Sequence, residues 1–307
     1  MDAIIIENVS KSYGAIPAVS DVSLSIKPGE LFGLIGPDGA GKTTLFKILV
    51  TLLLPDTGRA TVAGYDVVKD YKTLRKLVGY MPGRFSLYPD LSVQENLAFF
   101  ATVFGTTIRQ NYHLIQEIYA QLEPFKNRRA GQLSGGMKQK LALCCALIHK
   151  PDVLFLDEPT TGVDAVSRKE FWDMLRQLNE RGLTTLVSTP YMDEASRCDR
   201  VAFMQTGTVL AVDTPLAITR RFKKRLYAVR AADTYSLIHD LRLAPFTESC
   251  YAFGEFLHLT VKSAAVTEEQ IGRYLREKNH RTIEIHSIQP GIEDTFMALM
   301  TQTQPTA

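Results

Sequence analysis

The sequence has no apolar run long enough to span a bilayer, so hydropathy points to no transmembrane helix. Its charge has almost no sign: 35 Lys and Arg stand against 33 Asp and Glu, a net +2. Electrostatics therefore make no case for nucleic acid as a partner. Cysteine is scarce. Cys144, Cys145, Cys198 and Cys250 show no metal-ligand spacing, and the adjacent pair sits in an apolar helical run. They read as small core residues of a reduced, cytosolic protein. A secretory leader is not expected, because MDAIIIENVS is too short and too acidic for one. What remains is ordinary globular material: 307 residues, 45% hydrophobic and 22% charged, enough for a core and for two domains. Any membrane role must go through a partner.

Strand and helix patterns alternate along the first two thirds. ELFGLIG (30–36), VLFLDE (153–158) and TTLVST (184–189) are buried strands of the parallel type. TTLFKILVTLLL (43–54) has helical length and spacing and ends at Pro55; RATVAGYDV (59–67) and LVGYM (77–81) read as strands. From Ser92 to Gln121, and again from Ser134 to His149, the period is helical, so a helical block at about 85–150 parts two sheet strands. VAFM and TVLAV form a hairpin around Gln205–Gly207. A basic run, RRFKKR (220–225), reads as a solvated helix end, with a lipid-headgroup contact as the second reading, and leads into a β-α-β-α-β rhythm from 226 to 307. The expected fold is α/β with a mainly parallel sheet, a helical subdomain and an antiparallel β part, followed by a small C-terminal α+β domain.

Gly36-Pro37-Asp38-Gly39-Ala40-Gly41-Lys42-Thr43, followed by Thr44, fits G-x-x-x-x-G-K-[ST]. A buried strand precedes it and a helix follows. Glycines let backbone N–H groups curl around phosphate oxygens without Cβ clashes, and the new helix turns its positive end to the same anion. Lys42 suits the β/γ phosphates and Thr43 suits Mg²⁺. In VLFLDE, four apolar residues deliver Asp157 to a strand end, where an acid holds magnesium. Glu158 follows, suited to polarise an attacking water.

Ser134-Gly135-Gly136, in LSGGMKQK (133–140), is by itself an anion cup: a hydroxyl and free N–H groups at a helix start. Together with GPDGAGKTT and VLFLDEPTTGVD, it closely resembles the ATP-binding subunits of ABC transporters, over roughly residues 1–220. The resemblance implies a P-loop ATPase with ATP and Mg²⁺ as cofactors, bound between two such domains arranged head to tail. Lys42, Thr43, Asp157 and Glu158 then serve the chain's own nucleotide, with Thr43 and Asp157 at the metal and Glu158 catalytic. Ser134, Gly135 and Gly136 serve the partner's nucleotide, Tyr13 in KSYG matches the adenine-stacking aromatic, and Asp164 matches the loop touching the other subunit. The implied domains are an ATP-binding domain at 1–219, a basic linker at 220–225 and an accessory domain at 226–307.

The tail IQPGIEDTFMALM (288–300) resembles subunits that work with ABC-2-type permeases, such as drug and polysaccharide exporters, and the whole chain looks like one half of a tandem-type efflux ATPase. This implies integral permease partners, a second ATP-binding subunit (the same chain or a cousin) and a peripheral place on the cytoplasmic face of the membrane. Two other functions stay open. One is a soluble ABC protein of translation or DNA repair, although such proteins generally carry two ATP-binding domains or a long coiled-coil insert. The other is a regulatory nucleotide-binding module.

Two positions depart from the family pattern. Where a glutamine follows the YMP-like strand and contacts Mg²⁺ and water, this chain has Gly83; Arg84, Phe85, Leu87 and Tyr88 still follow. Where a histidine contacts the γ-phosphate, it has Pro190, which offers no side-chain donor and no N–H. The expectation is a slow ATP site of the chain's own beside an intact signature.

Overall fold

The computed structural model describes residues 2–84 and 86–303, so Phe85 lies outside the described residues. The chain divides into two units, Met1–Pro215 and Leu216–Ala307.

In the first unit, β1 (Ile4–Tyr13) and β2 (Ile16–Ile26) form a long antiparallel hairpin, and β3 (Leu31–Ile35) enters the interior. Helix α1 (Lys42–Leu49) follows it. β4 (Thr57–Val62) and β5 (Tyr65–Asp66) join the hairpin in a sheet of order β2-β1-β4-β5. Helix α2 (Tyr71–Leu77) then leads to β6 (Val78–Met81). The helical block consists of α3 (Val93–Val103), α4 (Ile108–Tyr119) and α5 (Gly135–Leu147). It stands between β6 and β7 (Val153–Asp157), which are neighbours in the sheet. Helix α6 (Ala165–Glu180), β8 (Thr184–Thr189) and the hairpin β9 (Arg200–Gln205) and β10 (Thr208–Asp213) complete the unit.

The second sheet has order β10-β9-β3-β8-β7-β6, parallel throughout except for β10. Its central strands β3, β7 and β8 are buried along their length, which is why they read as unbroken apolar runs. Helix α1 lies between the two sheets, with Phe46 edge-on to Phe155 at 5.9 Å, and the core gathers around it. Parallel pairing brings the C-terminal ends of β3, β7 and β8 side by side, at the place where open α/β sheets bind ligands.

Several elements differ from their sequence patterns. α1 ends at Leu49, well before Pro55, because Thr51 takes a left-handed φ of 65° and the amides of Leu52 and Leu53 turn back onto the Lys47 carbonyl. The apolar spacing ran on past that stop because Leu52 and Leu54 are exposed surface leucines. The strand expected over 59–67 breaks at a turn where Ala63 and Gly64 both have positive φ. Helix α2 is too short and too exposed to leave a periodic signature.

Helix α7 (Pro215–Thr219) starts at the last residue of the first unit. The second unit contains β11 (Leu226–Arg230), α8 (Thr234–Leu243), β12 (Thr247–Phe253), β13 (Phe256–Val261), α9 (Glu268–Glu277), β14 (Glu284–Ile288) and α10 (Ile292–Thr303). Its antiparallel sheet has order β12-β13-β11-β14. β12 is an addition to the expected β-α-β-α-β rhythm: as an edge strand paired only with β13, it has one half-buried face and no apolar run.

All four cysteines are free and buried, and burial pushes their thiols up, Cys250 to about 11. No described helix is long and apolar enough to cross a membrane. His149, just past α5, stacks on Phe104 at 3.8 Å, and its Nε2 lies 3.1 Å from the Val78 carbonyl. Its Nδ1 is buried without a partner. Burial pulls the pKa below that of a free imidazole, although the Val78 bond works against it. The unfolded chain therefore binds this proton more readily than the folded one. The stabilisation is complete above the unfolded value and is lost as pH falls through the lower folded value. Thermal melts should accordingly show Tm falling from about pH 7 to about pH 5, with a smaller fall in His149→Gln. Equal falls in both proteins would reject this role.

Candidate functional site

The turn between β3 and α1 is built from close backbone approaches. A Cβ at Gly36 would lie 2.1 Å from the Met204 carbonyl, and one at Gly41 would lie 2.1 Å from that of Ala18. Gly41 also has φ of 99°, so the position excludes side chains on two counts. The Gly36 N–H donates to the Thr189 carbonyl (3.2 Å), tying the start of the turn to the end of β8. Pro37, Asp38, Gly39, Ala40 and Thr44 complete the loop, with Ala40 buried beneath it.

Lys42 is buried, and its Nζ donates to the carbonyls of Gly36 (2.7 Å) and Pro37 (3.0 Å) and sits 3.3 Å from Glu158 Oε1. Thr43 Oγ1 donates to Asp157 Oδ1 at 3.2 Å, and Ser188 Oγ donates to the same oxygen at 2.5 Å. Asp157 is 2% exposed at the end of β7. Its charge adds to burial in pushing the Tyr80 phenol upward. Glu158 takes φ of 50°, an uncommon conformation for a non-glycine residue. Its N–H is gripped by Ser188, through the carbonyl at 3.1 Å and Oγ at 3.0 Å. The backbone that aims this carboxylate is thus fixed from the neighbouring strand.

The residues fit a phosphate and a divalent cation. α3, α4, α5 and α6 each cap their first turn with a side chain: Ser92, Thr107, Ser134 and Asp164. α1 begins at Gly41 with no side-chain cap, so its leading N–H groups are left for an anion. Thr43 and Asp157 offer two hard oxygens within hydrogen-bonding distance of each other, suited to magnesium. Among the described residues there is no separate cluster of three or more His, Cys, Asp or Glu side chains that would hold a metal.

The hydrogen bonds around Lys42, Asp157 and Glu158 include no atom of the serine-glycine-glycine turn. Ser134 and Gly135 are exposed at the start of α5, where Ser134 Oγ accepts from the Met137 N–H at 3.3 Å. Gly136 is buried, and a Cβ there would meet Ser167 Oγ at 2.7 Å, so α5 and α6 approach too closely for any side chain. Asp164 caps α6 through the Val166 and Ser167 amides. The bonds from Ser167 hold its carboxyl below the usual range. Tyr13, at the end of β1, is 50% exposed.

Gly83 and Pro190 both border the cluster. A Cβ at Gly83 would lie 3.0 Å from the Asp157 carbonyl and 3.7 Å from the Glu158 Cβ, so a side chain there would start beside the two acids. Pro190 directly follows Thr189, whose carbonyl accepts from Gly36.

Five residues that sequence reasoning passed over shape the site: Ser188, Glu194, Thr160, Thr189 and Arg168. Glu194 is a 3% exposed carboxylate whose two oxygens accept from Thr160 Oγ1 (2.8 Å) and Thr189 Oγ1 (2.5 Å), with Arg168 Nε at 3.9 Å. It ties the loop after β7 to the end of β8, one residue before Pro190. The polar ends of TTLVST and PYMDEA were the available signals, but only the strand register makes Ser188 the neighbour of Asp157.

A family model described as ABC transporter matches residues 19–161. The chain is 39% identical over 290 residues to the probable multidrug ABC transporter ATP-binding protein YbhF of Escherichia coli, covering 92% of this chain and 49% of that one. It thus spans about half the length of that relative. It is also 39% identical over 298 residues to the Nod factor export ATP-binding protein I of Burkholderia pseudomallei, covering 95% of each. Among solved structures, an ATP-binding subunit of an ABC transporter superposes with TM-score 0.65 at 28% identity, covering 72% of this chain and 93% of that one. A dimeric ATP-binding cassette in a post-hydrolysis state with ADP and Pi superposes with TM-score 0.63 at 26% identity, covering 69% and 98%.

Proposed function

The chain belongs to the ABC transporter family of ATP-binding proteins, and from that premise we propose that it is the ATP-binding and ATP-hydrolysing subunit of an ABC-2-type exporter. Two such domains sandwich ATP. The observation that carries this reading is the cluster of Lys42, Thr43, Asp157 and Glu158 at the strand ends, whose hydrogen bonds and ion pair leave out an exposed Ser134-Gly135 turn. That turn suits the nucleotide of a second domain.

When bound, magnesium supplies charge neutralisation of the phosphates. Thr43 and Asp157 would hold it. Lys42 is positioned to exchange its carbonyl partners for phosphate oxygens, the α1 amides cap the anion, and Glu158 orients and deprotonates the attacking water. Tyr13 offers an exposed ring for adenine. With Gly83 and Pro190 at the edge of this cluster, the chain's own site lacks two polar side chains and turns over slowly. Its intact signature then completes the faster site of a related subunit.

A groove of about 370 Å³ beyond Gly83 suits a cytoplasmic segment of the permease. It is lined by Leu52, Ser86, Leu87, Phe100, Phe104 and His149. Tyr88 and Phe99 stack edge-on nearby, each at least 40% exposed. The likeness to YbhF and to the Nod factor export protein favours export over a regulatory or translation role. The test is capture of the tagged chain from detergent-solubilised membranes. The expected result is co-purification of a polytopic permease, with or without a second ATPase; recovery of the chain without any integral membrane protein overturns the export reading.

A further inference from the structure

The accessory unit contains a cavity of about 620 Å³ that the ATPase reading does not use. One face of its sheet buries Tyr227, Val229, Leu257, Leu259 and Val261 in a core with residues of α8 and α9. By strand alternation His258 and Thr260 belong to the other face. The register sets Tyr251 opposite His258, and Ser249 and Leu226 opposite Thr260. The cavity lies on this second face, lined also by the basic segment 221–224 and by α10.

Its polar groups are built in. Asp294 of α10 is 7% exposed, accepts from Gly291 N–H through Oδ2 (2.8 Å) and pairs with His258 Nδ1 through Oδ1 (2.7 Å). The His258 ring, packed against Phe253 at 4.3 Å, is thereby oriented, and Nε2 is the nitrogen left for a ligand, donating to an anion when the ring carries both protons. The acids of the wall are already engaged, Asp294 with His258 and Glu248 with Lys224. Lys223 adds a further cation to that wall, and among the described residues it has no acidic partner. Ser249 and Tyr251 bring hydroxyls, while Phe222, Leu226, Ala298 and Leu299 bring apolar surface.

Excess positive charge and several donors from different strands suit an anion with more than two acceptor oxygens. The volume and the apolar wall suit a ligand far larger than the anion alone. We propose that this cavity binds a phosphate-headed amphiphile, the phosphate against Lys223, His258 and Tyr251 and the apolar body against Phe222 and Leu299. The inference stands apart from the nucleotide site and does not depend on it.

The test is calorimetry of the full chain with octyl phosphate, in the presence of saturating ADP so that the phosphate loop does not compete. The expected result is one-site binding that weakens at least tenfold in the exposed-site variant Lys223→Glu and in His258→Gln, with octanol failing to bind. Unchanged far-UV circular dichroism and an unchanged thermal melt of the full chain in both variants show that the accessory unit is folded, because ADP reports only on the first unit. No heat with octyl phosphate, equal binding of octanol, or binding unaltered in Lys223→Glu overturns the proposal. A sedimentation arm distinguishes the sources. Lys223-dependent binding to phosphatidylglycerol vesicles but not phosphatidylcholine vesicles identifies a lipid headgroup; octyl phosphate binding without vesicle binding identifies a soluble phosphomonoester.

Discussion

Replacing Glu158 with glutamine is expected to lower ATP turnover by about 10²–10⁴-fold while leaving nucleotide binding in place. The substitution keeps the size of the side chain. The backbone that aims it is also untouched: the left-handed φ of 50° and the two bonds from Ser188 to its N–H do not involve the carboxylate. Only the negative charge is lost, and with it the base and the ion pair with Lys42 Nζ at 3.3 Å. Lys42 keeps the carbonyls of Gly36 and Pro37, so its place in the phosphate loop survives. With hydrolysis blocked, the closed sandwich has no route to open, and Mg-ATP should drive Glu158→Gln into a dimer on size-exclusion chromatography, alone or with a cognate subunit. Turnover within a fewfold of wild type would remove Glu158 from the role of base. A chain that stays monomeric with Mg-ATP and with every related subunit would remove the sandwich.

The second large effect runs upward. Gly83→Gln together with Pro190→His should raise turnover, by roughly 10- to 150-fold for each contact restored, because a hydrogen bond to a charged group is worth about 1.5–3 kcal/mol. The geometry sets a cost against this gain. A Cβ at position 83 would lie 3.0 Å from the Asp157 carbonyl, and backbone gives way less readily than a side chain. Gly83→Ala carries that steric cost without the amide and is the control: it should leave turnover unchanged or lower it. At position 190 the substitution also restores a backbone N–H beside Thr189. The measurement is steady-state ATPase activity of the purified chain, with its cognate subunits where the homodimer is inactive. If the double variant is no faster than Gly83→Ala, the two positions do not limit the site.

Much of the site was legible because its chemistry is contiguous. GPDGAGKTT carries its own steric rule, and the structure has a reason for two of its glycines in the carbonyls of Met204 and Ala18. VLFLDE brings Asp157 to a strand end by burial alone. The parallel sheet and the helical block also followed from patterns that repeat within short windows. What stayed hidden depends on contacts across the chain or on exposed elements. Ser188 sits 31 residues from Asp157 and meets it only through the β7–β8 register. Glu194 looks like a surface acid in a short loop, yet it is buried between Thr160 and Thr189. β12 and α2 left no apolar run because each exposes much of its surface. The stop of α1 came from a left-handed Thr51, which residue type does not announce.

The sequence by itself determined the family and the kind of chemistry, because phosphate binding is written into a few adjacent residues whose sterics and charges act locally. It also identified, by comparison with a family pattern, the two places where a polar side chain is missing. Only the tertiary structure placed Gly83 against Asp157 and Glu158, put Pro190 one residue beyond the phosphate-loop anchor, and turned the polar rows of β12 and β13 with α10 into a cavity. The physical reason is that a parallel sheet aligns the ends of strands far apart in sequence, and that one face of the antiparallel sheet β12-β13-β11-β14 is closed by α8 and α9 while the other is left partly open.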